Sequence, residues 1–106
     1  MAREVKWTAA AWSDLEATAE YIARDSAHYA AAFVREVRDA ARSLSHLAER
    51  GRVVPELGEP NIREIFIGNF RLIYRAETDA TNILALVHGG RDLQALWRRE
   101  ARSKEP

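Results

Sequence analysis

Apolar residues along this chain recur at two different spacings, and the switches between them outline the architecture. Glu4 to Thr8 alternates, with Val5 and Trp7 on one side, which predicts a short first strand. From Ala9 to Arg24 the spacing lengthens. Trp12, Leu15, Ala19 and Ile22 recur at helical steps opposite Asp14, Glu16 and Glu20, so an amphipathic helix is expected, with Thr8 placed to cap it. Asp25 and Ser26 interrupt the pattern with side chains that favour caps and turns. A second helix then follows on Phe33, Val37, Ala40, Ala41, Leu44 and Leu47, its outer face carrying Arg35, Glu36, Arg38, Asp39 and Arg42. Two amphipathic helices with so short a break predict an antiparallel hairpin whose apolar side still needs cover.

Gly51, Pro55, Gly58 and Pro60 break the periodicity, and residues 50–61 are expected to form a surface loop. Period-two alternation returns in Ile62 to Ile67 and Phe70 to Ala76, and the Gly68-Asn69 pair between them signals a two-residue hairpin. After a polar turn at Glu77 to Thr81, Asn82 to His88 is almost continuously apolar, as expected of a central strand covered on both faces. Gly89-Gly90 ends it. Asp92 can cap a short last helix holding Leu93, Leu96 and Trp97 before a polar tail from about residue 98. The order predicts one α+β domain over residues 1–106: an N-terminal strand, a two-helix hairpin on one face of a small, mainly antiparallel sheet, and a short C-terminal helix. Trp12 is expected in the core, while Tyr21 and Tyr29 fit either core or interface.

Composition narrows the chemistry. The chain has 106 residues with 47% hydrophobic content, enough for one core, and no cysteine, which removes disulfides, thiol catalysis and thiolate metal sites. The cytoplasm is the expected compartment, with neither export signal nor membrane span. Sixteen basic residues balance sixteen acidic ones, so no bulk positive field draws the chain to nucleic acid, and any such role must rest on local clustering. No histidine and carboxylate spacing suits a metal, no glycine loop suits a phosphate, and no serine lies in a nucleophile elbow; no cofactor is expected.

With Gly68 and Asn69 at the bend, Ile67 pairs with Phe70, Phe66 with Arg71, Ile65 with Leu72 and Glu64 with Ile73. Ile65, Ile67, Phe70, Leu72 and Tyr74, with Arg63 near the end, then share the side beneath the helices. Ile62, Glu64, Phe66, Arg71, Ile73 and Arg75 share the other, expected to be open. Two arginines and a glutamate on a half-apolar surface suit a functional site, and an ordinary solvated sheet face shows the same pattern. His88 and Arg91, flanking the terminal glycines, are placed to reach this surface, and a histidine there can exchange protons near neutrality.

Several segments in order carry a family resemblance: Val5-Lys6-Trp7-Thr8, the Asp25-Ser26 break before Tyr29, Phe33 and Val34, Gly51-Arg52-Val53-Val54-Pro55-Glu56, Ile62-Arg63-Glu64-Ile65, Asn69-Phe70-Arg71-Leu72-Ile73-Tyr74 and Val87-His88-Gly89-Gly90-Arg91. Together they resemble the RelE/ParE superfamily of type II toxins, most closely its ParE-like branch, over most of the chain. The resemblance implies a toxin neutralised by an antitoxin whose C-terminal segment wraps it. It also implies one of two activities: RelE-like members cut messenger RNA on the ribosome, whereas ParE-like members block DNA gyrase without cutting nucleic acid.

RNA cleavage through the 2′-oxygen needs proton-transfer groups and cations on the phosphate. Arg71 and Arg91 match the two arginines of the RelE-like pattern, but Ile62 and Glu64 stand near its hairpin lysines and Trp97 near its tyrosine. Glu64, diagonal to Arg71 and Arg75, would also draw on their charge and repel phosphate. The balance favours a gyrase-directed toxin. Other relatives use a glutamate and a histidine instead, so an endoribonuclease acting through Arg71, Arg91, Glu64 and His88, or Glu56, stays open, as does a non-toxic interaction domain. A disordered antitoxin folding on the apolar edges of helices and sheet is expected on physical grounds as well.

Overall fold

In the computed structural model, residues 2–89 are described. They form β1 (Glu4–Trp7), α1 (Ala9–Ala23), α2 (Ala27–Ser43), β2 (Arg52–Val53), β3 (Ile62–Ile67), β4 (Phe70–Ala76) and β5 (Ala80–His88). The expected C-terminal helix on Leu93, Leu96 and Trp97 lies outside the described residues, as does Arg91.

Both helices begin where a hydroxyl takes up an otherwise unpaired backbone donor. Thr8 Oγ1 accepts from the Ala11 amide at 3.1 Å, and Ser26 Oγ accepts from Tyr29 at 3.1 Å. Thr8 also donates its hydroxyl proton to the Ile83 carbonyl at 2.9 Å, tying the start of α1 to β5. The second helix is shorter than its apolar stripe suggests. It stops at Ser43 with Leu44 as its C-cap, so Leu47 falls in the following turns and is exposed.

The strands form a five-stranded sheet in the order β1-β5-β4-β3-β2. Only β1 runs parallel to its neighbour, Glu4 opposite Ala80 through Trp7 opposite Ile83, because the helical hairpin supplies the crossover from β1 back to the sheet. The β3–β4 register is the expected one, from Ile62 opposite Arg75 to Ile67 opposite Phe70. Gly68, with φ +58°, supplies at the first loop position the conformation that a type II′ bend requires. In β5, interior but not central, Leu84 is an extra residue between the Ile83–Tyr74 and Ala85–Ile73 pairs. That bulge splits the apolar run between faces: Ile83 and Leu86 pack under the helices, Leu84, Ala85 and Val87 on the far side.

The main core joins Ala11 and Leu15 of α1 and Val37, Ala40, Ala41 and Leu44 of α2 to Ile65, Ile67, Leu72, Tyr74, Ile83 and Leu86 of the sheet. Trp12 departs from expectation. It is 42% exposed, with its ring edge-on to Trp7 at 5.6 Å, because Ala11 and Leu15 take the inward positions of that helical turn.

The larger correction concerns the opposite face. Val54 and Leu57, from the segment expected to be a plain surface loop, cover Ile62, Ile73, Leu84, Ala85 and Val87 in a second small core. Arg52 and Val53 pair with Glu64 and Arg63, which turns that segment back over the sheet. Much of the face expected to be open is therefore closed.

Candidate functional site

At the edge of this second core a glutamate has lost its water. Glu64 on β3 has a side chain with no accessible surface, and desolvating a carboxylate costs several kcal/mol unless cations replace the solvent. Two do. Arg52 Nε donates to Glu64 Oε2 at 2.6 Å, and an Arg71 terminal nitrogen donates to Oε1 at 3.1 Å. Each comes from a strand beside β3. Arg52 sits directly opposite Glu64 on β2, and Arg71 lies on the diagonal of the β3–β4 ladder.

Arg71 is engaged on further sides. The same nitrogen approaches Glu56 to 3.0 Å, and its other terminal nitrogen donates to the Gly89 carbonyl at 2.9 Å, where β5 ends. Its side chain is only 12% exposed, and Arg71 Nε is buried with no hydrogen-bond partner among the described residues. A guanidinium held this way, between two carboxylates and a carbonyl, has little field left to offer an incoming phosphate.

Phe66 stands above the cluster, 52% exposed, with the Arg52 guanidinium 4.9 Å and the Arg71 guanidinium 6.0 Å from its ring centre. Aromatic side chains and arginines are the residue types enriched at protein–protein interfaces, and here they are held together on adjacent strands. What remains accessible here is a small platform of the Phe66 ring and the Arg52 guanidinium, with the Glu56 carboxylate also exposed.

The sequence-derived candidates are thus only partly united. Glu64, Arg71 and Phe66 come together as expected. Arg75 shares their face but is buried at 8% exposure, opposite Ile62 and Asn82 in the ladder, and adds nothing to the accessible surface. His88 does not join them. It lies opposite Phe70, with ring centres 5.5 Å apart, and Phe70 packs on Phe33 of α2, so the imidazole is on the helix side of the sheet. Glu64 and His88 are therefore on opposite faces, which removes the pairing expected for proton transfer. Arg52 was missed as a site residue. Its only sequence signal was the Arg52-Val53-Val54 run after a glycine, too short to distinguish from loop.

A buried hydroxyl fixes the segment that delivers Arg52. Tyr74, fully buried on β4, donates to the Ala48 carbonyl at 2.8 Å and accepts from the Gly51 amide at 2.9 Å. Arg63 donates to the Gly51 carbonyl at 2.9 Å. Burial raises the Tyr74 pKa above its ordinary 10.0, against a smaller lowering by the Gly51 hydrogen bond. Gly51 has to be glycine, since a Cβ would lie 2.6 Å from the Glu64 carbonyl oxygen and 2.7 Å from the Tyr74 hydroxyl.

A family model described as the ParE toxin of the type II toxin-antitoxin system, parDE, matches residues 5–93, from the first strand past the last one described. The chain belongs to the ParE toxin family. A solved structure titled "Chromosomal ParDE TA system from P. aeruginosa" is similar to this ParE-family chain with a TM-score of 0.67 and 22% identity, covering 81% of this chain and 95% of that one. At that identity the likeness is one of fold. A search of curated proteins found no match. Among the described residues no helix is long and apolar enough to cross a membrane, and no three histidine, aspartate or glutamate side chains group as a metal site.

Proposed function

We propose that this ParE-family chain is a growth-arresting toxin that works by binding DNA gyrase rather than by cutting RNA, and that a cognate antitoxin holds it inactive in the cytoplasm. The observation that carries the reading is the state of Arg71. On a ribonuclease surface of this fold that arginine would face a phosphate; here Glu64, Glu56 and the Gly89 carbonyl occupy it. The placement of His88 on the other face of the sheet supports the same reading, because a glutamate–histidine pair for proton transfer is not assembled. What the Phe66 platform offers is protein recognition, and family membership supports gyrase as the protein recognised.

The antitoxin is expected as a separate small protein with a segment that folds on contact, the mode suited to covering scattered apolar surface. Purified chain added to gyrase and relaxed plasmid should suppress supercoiling, and added antitoxin should restore it. Unchanged supercoiling at micromolar chain, with primer extension showing fresh cuts in translated messages during growth arrest, would replace this proposal with the endoribonuclease.

A further inference from the structure

Six of the described arginines fall into two groups. Arg52, Arg71 and Arg42 have carboxylate partners. Arg3, Arg50 and Arg63 are held by neutral oxygens instead: the Glu77 carbonyl at 2.8 Å, the Ser43 hydroxyl at 2.8 Å and the Gly51 carbonyl at 2.9 Å. None of these three forms an ion pair among the described residues. They also converge. Arg3 and Arg63 line one hollow with Asn61 and Thr78, and Arg3 and Arg50 line the adjoining one with His46. Both lie away from the Gly68-Asn69 bend, and Arg63 faces the opposite side of β3 from its neighbour Glu64.

We propose that this double hollow is an oxyanion site for a phosphate group. Arg3 and Arg63 are half-buried and each is already fixed by a backbone carbonyl, so much of the side-chain ordering that binding requires is in place beforehand. Each such bond engages one nitrogen and leaves other N–H groups of the fork for a ligand. With Arg3 common to both hollows, two guanidiniums line each, and their forked donors are met better by the three or four oxygens of a phosphate than by the two of a carboxylate. Glu49 and Glu77 share the walls and oppose the anion. Glu77 Oε1 accepts from Asn82 at 3.1 Å, which holds that side chain but leaves its charge, so both glutamates lower the affinity.

The test is a titration of the full chain with inorganic phosphate at constant ionic strength, followed by amide and arginine Nε resonances. Saturable shifts at Arg3 and Arg63, with acetate much weaker and Arg52 unmoved, are expected. Arg63→Gln should weaken binding on the order of tenfold through loss of charge-assisted bonds. Glu49→Gln, which alters an exposed side chain and leaves the fold intact, should tighten it. Linear shifts spread over the surface, acetate matching phosphate, or a Glu49→Gln affinity equal to wild type would overturn the site. A parallel titration with a short oligodeoxythymidylate separates the sources. Shifts at the same arginines assign a nucleic-acid backbone, and shifts with free phosphate alone assign a small phosphorylated molecule. Gyrase inhibition plays no part in this measurement, so the two proposals fail independently.

Discussion

Replacing Tyr74 with phenylalanine removes one oxygen atom and leaves the ring in the main core. That oxygen belongs to a side chain with no accessible surface and is bonded on both sides, at 2.8 Å to the Ala48 carbonyl and 2.9 Å from the Gly51 amide. Its loss strands a buried acceptor and a buried donor, each costing about 1–3 kcal/mol, so Tyr74→Phe should destabilise by roughly 2–6 kcal/mol. Urea unfolding reads this as a midpoint lower by about 1–3 M with an unchanged slope. The pH dependence gives a second check. Burial raises the folded-state pKa above the ordinary 10.0, so the unfolded chain releases the phenolic proton first. The hydroxyl's contribution is therefore complete below pH 10.0 and is lost as pH climbs through the folded value. The gap between wild type and Tyr74→Phe should narrow in that window, while Tyr21 and Tyr29, common to both proteins, cancel. A gap below about 0.5 kcal/mol at neutral pH, or one that stays constant or widens in alkali, would refute the assignment of Tyr74 as the clamp on Gly51.

The same clamp makes Gly51→Ala costly. With a methyl 2.6 Å from a backbone oxygen, a loss near 3 kcal/mol is expected in thermal or urea unfolding. Glu64→Gln should cost about 3 kcal/mol by leaving the nearly buried Arg71 short of counter-charge, and Arg52→Ala, which leaves the buried Glu64 with Arg71 as its one cation among the described residues, should cost about 1–3 kcal/mol; a loss under about 0.5 kcal/mol for either in urea unfolding would contradict the burial of Glu64. Phe66→Ala should change stability by less than about 1 kcal/mol yet abolish growth arrest on expression without antitoxin, and retained toxicity would move the recognition surface elsewhere.

The parts of this fold that were legible are those set by local spacing. Thr8 and Ser26 announce helix starts because a capping hydroxyl acts within its own turn. Gly68-Asn69 fixes the β3–β4 register because a two-residue loop admits one pairing, and from it the sorting of Ile65, Leu72 and Tyr74 away from Glu64 and Arg71 follows by parity. The bulge at Leu84 and the inward turn of Val54 and Leu57 were not legible. Each depends on contacts with residues distant in sequence, and neither leaves a periodic signal over so few positions.

That difference decides how the charged face is understood. A glutamate and two arginines on a sheet exposed to water are a common and weakly coupled arrangement. The two-residue strand Arg52–Val53 changes their chemistry by carrying Val54 and Leu57 over the sheet, excluding solvent from Glu64 and supplying a second guanidinium at 2.6 Å. Once Glu64 is dry its charge has to be matched, and Arg71 is drawn inward to match it. The availability of Arg71 to a phosphate is therefore governed by a segment distant from it in sequence, held in place by Tyr74 and Gly51. Loosening that segment with Tyr74→Phe should rehydrate Glu64 and release Arg71. The Arg71 Nε proton should then exchange with solvent faster in the variant than in wild type under native conditions, and equal exchange would show that the strand does not control the charge.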